Sequence, residues 1–182
     1  ETAITNSNCS IRFFNSLVSL IELVSISDSS LIFCSKTINK VSVEKFIQKR
    51  YLEPDGVVSG YITGIQLANM YGFTTQNPSC YEVCSNEAST KQRKVDVDGR
   101  QIIVYKPVAE ISKENKGALQ FLDLMSTIDR YSEVSGDEFA VKIKNYISIV
   151  NVDFEQVKKY LSLFPDRVYR NIYQGGLMNE LV

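Results

Sequence analysis

Asp96 and Asp98 stand in a D-x-D arrangement, the spacing at which nucleotidyltransferases hold metal ions between adjacent carboxylates. The Gly-Ser turn that such enzymes place ahead of these aspartates is missing. Asp98 is instead followed by Gly99 and flanked by Val95–Val97 and Gln101–Tyr105, runs that read as paired strands. Asp and Gly both tolerate the positive φ of a tight hairpin turn, so the pair reads as a hairpin. Ser59, Thr74, Thr75, Ser79 and Cys80 are candidate nucleophiles. The chain has no histidine to act as their base, and no S-x-x-K or G-x-S-x-G elbow. Glu82, Glu87 and Glu110 are scattered acids with no visible pairing. The expectation is a protein without catalytic machinery or cofactor.

Metal chemistry fares no better. Cys9, Cys34, Cys80 and Cys84 form no C-x-x-C pair, and the lack of histidine excludes mixed Cys/His zinc sites. Free thiols in a reducing cytoplasm are the expected state. A length of 182 residues, a net charge of −1 and a pI near 5.6 describe a globular chain without the basic excess of a bulk nucleic-acid binder. No segment has the apolar length of a membrane span. The apolar stretch from Ile11 to Val24 lacks a basic leader and is interrupted by Glu22, which argues against a signal peptide.

The segment Gly60–Pro78, GYITGIQLANMYGFTTQNP, is the most distinctive in the chain. Gly60 and Gly64 flank Tyr61-Ile62-Thr63, leading into a short helix over Gln66–Tyr71. A phosphate cradle would use such glycines, but no G-K-[ST] follows, and tight backbone approach with Thr63 as helix cap is the simpler account. Gly72 suits the left-handed position after that helix. Thr74, Thr75, Gln76 and Asn77 then sit on a turn stiffened by Pro78. They form either a self-satisfied turn or a preorganised recognition surface. Lys91, Arg93, Lys94, Arg100 and Lys106 line the hairpin arm, a basic stretch able to meet phosphates or an acidic partner, with Asp96, Asp98 and Glu87 diluting it.

These features need a scaffold, and the chain divides by composition near residue 54. Before Pro54 there is neither glycine nor proline. Ile11–Val24 repeats like an amphipathic helix, Ser30–Ser35 is short and β-compatible, and Ser42 is placed to cap a helix from Val43 to Leu52. Beyond it, Cys80–Ser85 reads as a strand ahead of the hairpin. Helices follow: one from a Ser112 cap burying Ala118, Leu119, Leu122, Met125 and Ile128; one from Asp137 with Phe139, Ile143, Tyr146, Ile147 and Val150; one over Phe154–Leu161 ending at Pro165; and a short one over Arg167–Tyr173. The fold class is α+β, a small antiparallel sheet with a hairpin packed against several helices and a C-terminal helical cluster.

From Val43 to Val182 the ordered motifs resemble the effector domain of AbiEi-type antitoxins of bacterial type IV toxin–antitoxin, or abortive phage infection, systems. The resemblance is carried by GYITG (Gly60–Gly64), GFTTQNP (Gly72–Pro78), the strand ending at Asn86, ISKEN (Ile111–Asn115) and the terminal FPDRVYRNIY. Phe73 stands where the family usually has leucine. Residues 1–42 show no winged helix-turn-helix of the family kind and read as a separate N-terminal appendage, divergent or truncated. The resemblance implies a cytoplasmic, non-enzymatic antitoxin or transcriptional-regulator domain, opposing a nucleotidyltransferase-like toxin or acting on that toxin's target. Its recognition surface would comprise Tyr61, Thr63, Thr74, Thr75, Gln76 and Asn77, with the basic arm as accessory. The alternative is a repressor binding its own operator DNA through the basic residues of the hairpin and C-terminal helices.

Overall fold

The computed structural model describes residues 42–181. The expected helix at Ile11–Val24, the strand at Ser30–Ser35 and all of the 1–42 appendage except Ser42 lie outside the described residues.

Helix α1 spans Val43–Ile47 and runs on as a π-helical turn over Gln48–Leu52. It buries Val43, Ile47, Tyr51 and Leu52, three of them at i, i+4 spacing on one stripe. Ser42 does not cap it. Its hydroxyl donates to the Glu44 carboxylate, 2.5 Å away, instead of accepting from a main-chain N–H.

Strands β1 (Gly60–Ile62), β2 (Tyr81–Ser85), β3 (Gln92–Val97) and β4 (Arg100–Tyr105) form a sheet in the order β1-β2-β4-β3. The α+β class holds, with one amendment: the sheet is mixed, because β2 pairs with β4 in parallel. The connection after β2 carries the chain past one position to the sheet edge, and the hairpin then folds β4 back into the gap. The hairpin turn is the expected one, with Asp98 at φ 55° and Gly99 at φ 74°, and Asp96 Oδ1 accepts from the Gly99 N–H at 3.2 Å.

Residues directly opposite in register share a face, and faces alternate along each strand. The pairs Ile62↔Val83, Val83↔Val104 and Val95↔Ile102 therefore put one apolar set together, and this set packs on α1. The pairs Tyr61↔Cys84, Cys84↔Tyr105, Glu82↔Ile103 and Lys94↔Ile103 define the other face. Its β1–β2 side is covered by Leu119 and Ile111, which cluster with Tyr61 and Cys84.

Leu119 belongs to helix α3 (Lys116–Thr127), the centre of the domain; α2 is the short helix Gly64–Met70 after β1. Helix α3 buries Ala118, Leu119, Phe121, Leu122, Leu124 and Met125, more of its circumference than one stripe. Helices α4 (Gly136–Val150), α5 (Phe154–Leu161) and α6 (Arg167–Gln174) enclose it on the side away from the sheet. Phe121 sits between Tyr146 and Phe154, with ring centroids 6.4 and 5.8 Å apart. Asp153 caps α5 through the Glu155 N–H at 2.9 Å. The expected Ser112 cap of α3 is not formed: the helix begins after Asn115, which makes no side-chain cap bond and whose Oδ1 accepts instead from the upstream Ser112 N–H at 2.8 Å.

Candidate functional site

Thr63 leads from β1 to the site. Its N–H donates to the Glu82 carbonyl at 2.9 Å, extending the β1–β2 pairing by one step. It occupies the N-cap position of α2, yet its hydroxyl makes no cap bond and donates instead to Asp123 Oδ2 on α3. The expected capping role therefore gives way to a tertiary contact. Gln120, one turn earlier on α3, donates from Nε2 to the Ile62 carbonyl at 2.9 Å and accepts from the Tyr146 hydroxyl at 3.3 Å. Strand β1 and helix α3 are thus fixed in register by polar bonds within an apolar surround.

Where α3 leaves the sheet face uncovered, a cleft of about 270 Å³ opens. Its floor includes Thr63, Glu82 and Asp123, its wall Tyr105 and Phe164, and its rim Lys91, Lys106 and Arg130. Gly64 makes the floor possible. It sits at φ +66°, and a Cβ there would come within 2.5 Å of the Glu82 carboxylate. Glycine both adopts the left-handed backbone and lets a carboxylate rest against it.

Glu82 is 8% exposed, and no cation is bonded to it among the described residues; the Tyr105 hydroxyl donates to its Oε2 at 3.1 Å. Asp123 is likewise served by neutral groups. Burial pushes its carboxyl above the ordinary range, the Thr63 hydroxyl opposes that shift, and the Glu82 charge adds to it. Two acids with no cation bonded to either therefore share one floor, while Lys91, Lys106 and Arg130 stand exposed at the rim in no ion pair among the described residues. Burial also raises the Cys84 thiol to about 12, and holds the Tyr61 hydroxyl protonated well above its usual value. Tyr61 also lines the cleft and is only 2% exposed.

The turn Thr74–Asn77 is organised differently. Glu133, from the segment between α3 and α4, accepts from Thr74 Oγ1 at 2.9 Å, from the Thr75 N–H and Oγ1 at 2.8 Å each, and from Gln76 Nε2 at 3.2 Å. Asn69 closes the other side by donating to the Thr74 and Gln76 carbonyls. The hydroxyls and amide that sequence offered as a recognition surface are engaged in a self-satisfied turn, and only Asn77 projects without such a bond. These donors hold the Glu133 carboxyl down to about 2, the Thr75 N–H having the largest influence. The stabilisation is present above the ordinary glutamate value of 4.5 and is lost as pH falls from there towards 2. In an NMR titration Glu133 is expected to stay ionised below the other glutamates, and Thr75→Ala, which removes the hydroxyl but keeps the N–H, to raise it only part of the way towards 4.5; an ordinary titration in the wild type contradicts the arrangement.

The basic arm does not form one surface. Arg93 and Arg100 lie on the α1 face, where Arg93 donates to the Tyr51 hydroxyl at 3.2 Å and Arg100 sits beside Glu44 and Tyr81. Lys94 is on the opposite face, and Lys91 and Lys106 line the cleft. Of the recognition residues expected from sequence, Tyr61 and Thr63 come to the cleft; the turn residues do not line it. Sequence reading missed Asp123 and Arg130, and left Glu82 as a scattered acid. The alternation of β2 was the available signal for Glu82, since it shares a strand face with the apolar Cys84 two residues on.

Cys80 and Cys84 are free thiols, and Cys9 and Cys34 lie outside the described residues. Among the described residues no group of three or more His, Cys, Asp or Glu could hold a metal ion, and no helix is long and apolar enough to cross a membrane. Comparison with protein-family models, curated proteins and solved structures finds no match to this chain.

Proposed function

We propose that this chain is a cytoplasmic recognition domain of the antitoxin type its motifs resemble, and that it works by binding through the cleft between the sheet and α3. The observation that carries this reading is the position of Gly60–Gly64. One of the ordered motifs that carry the resemblance supplies Tyr61, Thr63 and Gly64 to the lining of the cleft. The second motif, Gly72–Pro78, builds a turn around Glu133 and so accounts for itself structurally.

Binding suits the chemistry of the floor better than nucleophilic attack. Cys84 and Tyr61 are the nucleophilic groups beneath it, and burial keeps both protonated at neutral pH. Uncompensated carboxylates in a cleft cost stability, and such costs concentrate where a ligand is recognised.

Growth rescue tests the reading. The full chain, co-expressed with the nucleotidyltransferase-like toxin of its own operon, is expected to restore growth. Glu82→Gln, which keeps the shape and removes one charge, is expected to reduce rescue by about tenfold or more in surviving colonies, the equivalent of one charge-assisted hydrogen bond. Full rescue by Glu82→Gln at equal soluble level, or no rescue by the wild type against an active toxin, would refute it.

A further inference from the structure

The cleft has three chemically distinct parts, and together they specify a ligand. Carboxylates accept hydrogen bonds and donate none, so a molecule seated on Glu82 and Asp123 must bring donors. Each acid already takes a hydroxyl from the protein, Tyr105 on Glu82 and Thr63 on Asp123, so the floor is adapted to neutral hydroxyl donors. The rim is its opposite: Lys91, Lys106 and Arg130 carry only donors and positive charge. The wall between them offers the aromatic rings of Tyr105 and Phe164.

A ligand matched to all three parts has a hydroxyl-rich centre, an anionic end and a flat apolar ring. We propose that the cleft binds a ribonucleotide, with the sugar hydroxyls on Asp123 and Glu82, the phosphate at Lys91, Lys106 and Arg130, and the base against Tyr105 and Phe164. Carboxylates on the ribose with fixed positive groups on the phosphate is the division of labour by which nucleotide sites on unrelated folds work. The volume of about 270 Å³ is just below the roughly 300–1,000 Å³ of ordinary ligand sites, room for one nucleotide at most and not for two. Gly64 keeps the floor deep enough for the sugar by leaving the Glu82 carboxylate undisplaced.

This inference rests on the reading of the cleft as the recognition site. The same chemistry is offered by a free mononucleotide and by the 3′-terminal nucleotide of an RNA chain.

Calorimetric titration of the full chain tests the proposal, using adenosine and guanosine monophosphates, their 2′-deoxy forms, and a short single-stranded RNA ending in either a 3′-hydroxyl or a 3′-phosphate. Binding of a ribonucleotide is expected, weakened about tenfold or more in the 2′-deoxy form and by Asp123→Asn. Lys106→Ala and added salt are expected to weaken it as well. Saturation by the free monophosphate assigns the free source. Binding confined to RNA with a 3′-hydroxyl assigns the chain end. Equal affinity for ribose and deoxyribose forms, or no binding in any arm, overturns the proposal. Loss of growth rescue in Asp123→Asn without nucleotide binding would leave the recognition reading standing and remove this ligand class. Nucleotide binding with rescue unchanged in Asp123→Asn would do the reverse.

Discussion

Asp123→Asn is expected to make the folded protein more stable at neutral pH while emptying the cleft of function. Burial raises the Asp123 carboxyl, so the folded state favours the protonated form. Its contribution to stability is therefore fully present below the ordinary aspartate value of 3.8 and is lost as pH rises through the raised value. Asparagine keeps the oxygen that accepts from Thr63 and never ionises, so it avoids that loss. Removing a destabilising group from a binding site typically gains about 1 kcal/mol, or about 3 °C in Tm for a chain of this size. The diagnostic is the pH dependence: the Tm difference between variant and wild type should grow as pH rises from below 3.8 towards neutrality. Glu133, whose stabilisation grows over the same range, is common to both proteins and cancels in the difference. A variant that is less stable than wild type at neutral pH would mean that Asp123 is held there for the fold.

Gly60→Ala is expected to do the most damage of any single methyl group in the domain. A Cβ at Gly60 would stand 2.2 Å from the Tyr51 carbonyl oxygen and 2.7 Å from that of Cys84. Both obstacles are main chain, and neither is able to retreat by rotating. The Tyr51 carbonyl also accepts from Ser85 Oγ at 2.7 Å, and the neighbouring Ser59 N–H donates to the Leu52 carbonyl at 2.8 Å. The π-helical end of α1 is thereby pressed directly onto β1 and β2. Separating them would break these bonds and open the apolar layer of Val43, Ile47, Leu52, Val83 and Ile102. Overpacking against fixed backbone costs roughly 3 kcal/mol or more, a large part of the 5–15 kcal/mol that holds an ordinary domain together. Urea unfolding should show a clearly lower midpoint, or no soluble protein at all. A midpoint equal to that of the wild type would contradict the close approach.

How far the sequence reveals this structure depends on how local each feature is. The hairpin at Asp98-Gly99 and the left-handed Gly72 follow from one or two residues and their backbone preferences, and they appear where expected, whereas α5 ends at Leu161, four residues short of the expected stop at Pro165. Helices α4 to α6 follow from apolar spacing. The caps were less legible. Ser42 and Thr63 have the right residue type at the right position, yet each hydroxyl is turned to donate to a nearby carboxylate and accepts from no helix N–H. Parallel pairing of β2 with β4 depends on the path of a connection, which no local pattern encodes. The cleft was the least legible feature. Its acids come from β2 and α3, 41 positions apart in the chain, and only the fold places Glu82 and Asp123 on one floor. The motif Gly60–Gly64 was visible as unusual, but its partner residues were not. The turn Thr74–Asn77 drew attention for its polar density, and its explanation, Glu133, likewise lay far along the chain.

The central claim is that function resides in the cleft built by Gly60–Gly64 and not in the turn built by Gly72–Pro78. The most direct measurement compares growth rescue by the full chain carrying Thr63→Val with Asp123→Asn against rescue by the chain carrying Thr75→Ala, at matched soluble levels and against the same toxin. The account predicts that the cleft variant fails to restore growth while the turn variant restores it as the wild type does. Rescue by the cleft variant together with failure of the turn variant would contradict it, and would return the recognition surface to Thr74–Asn77.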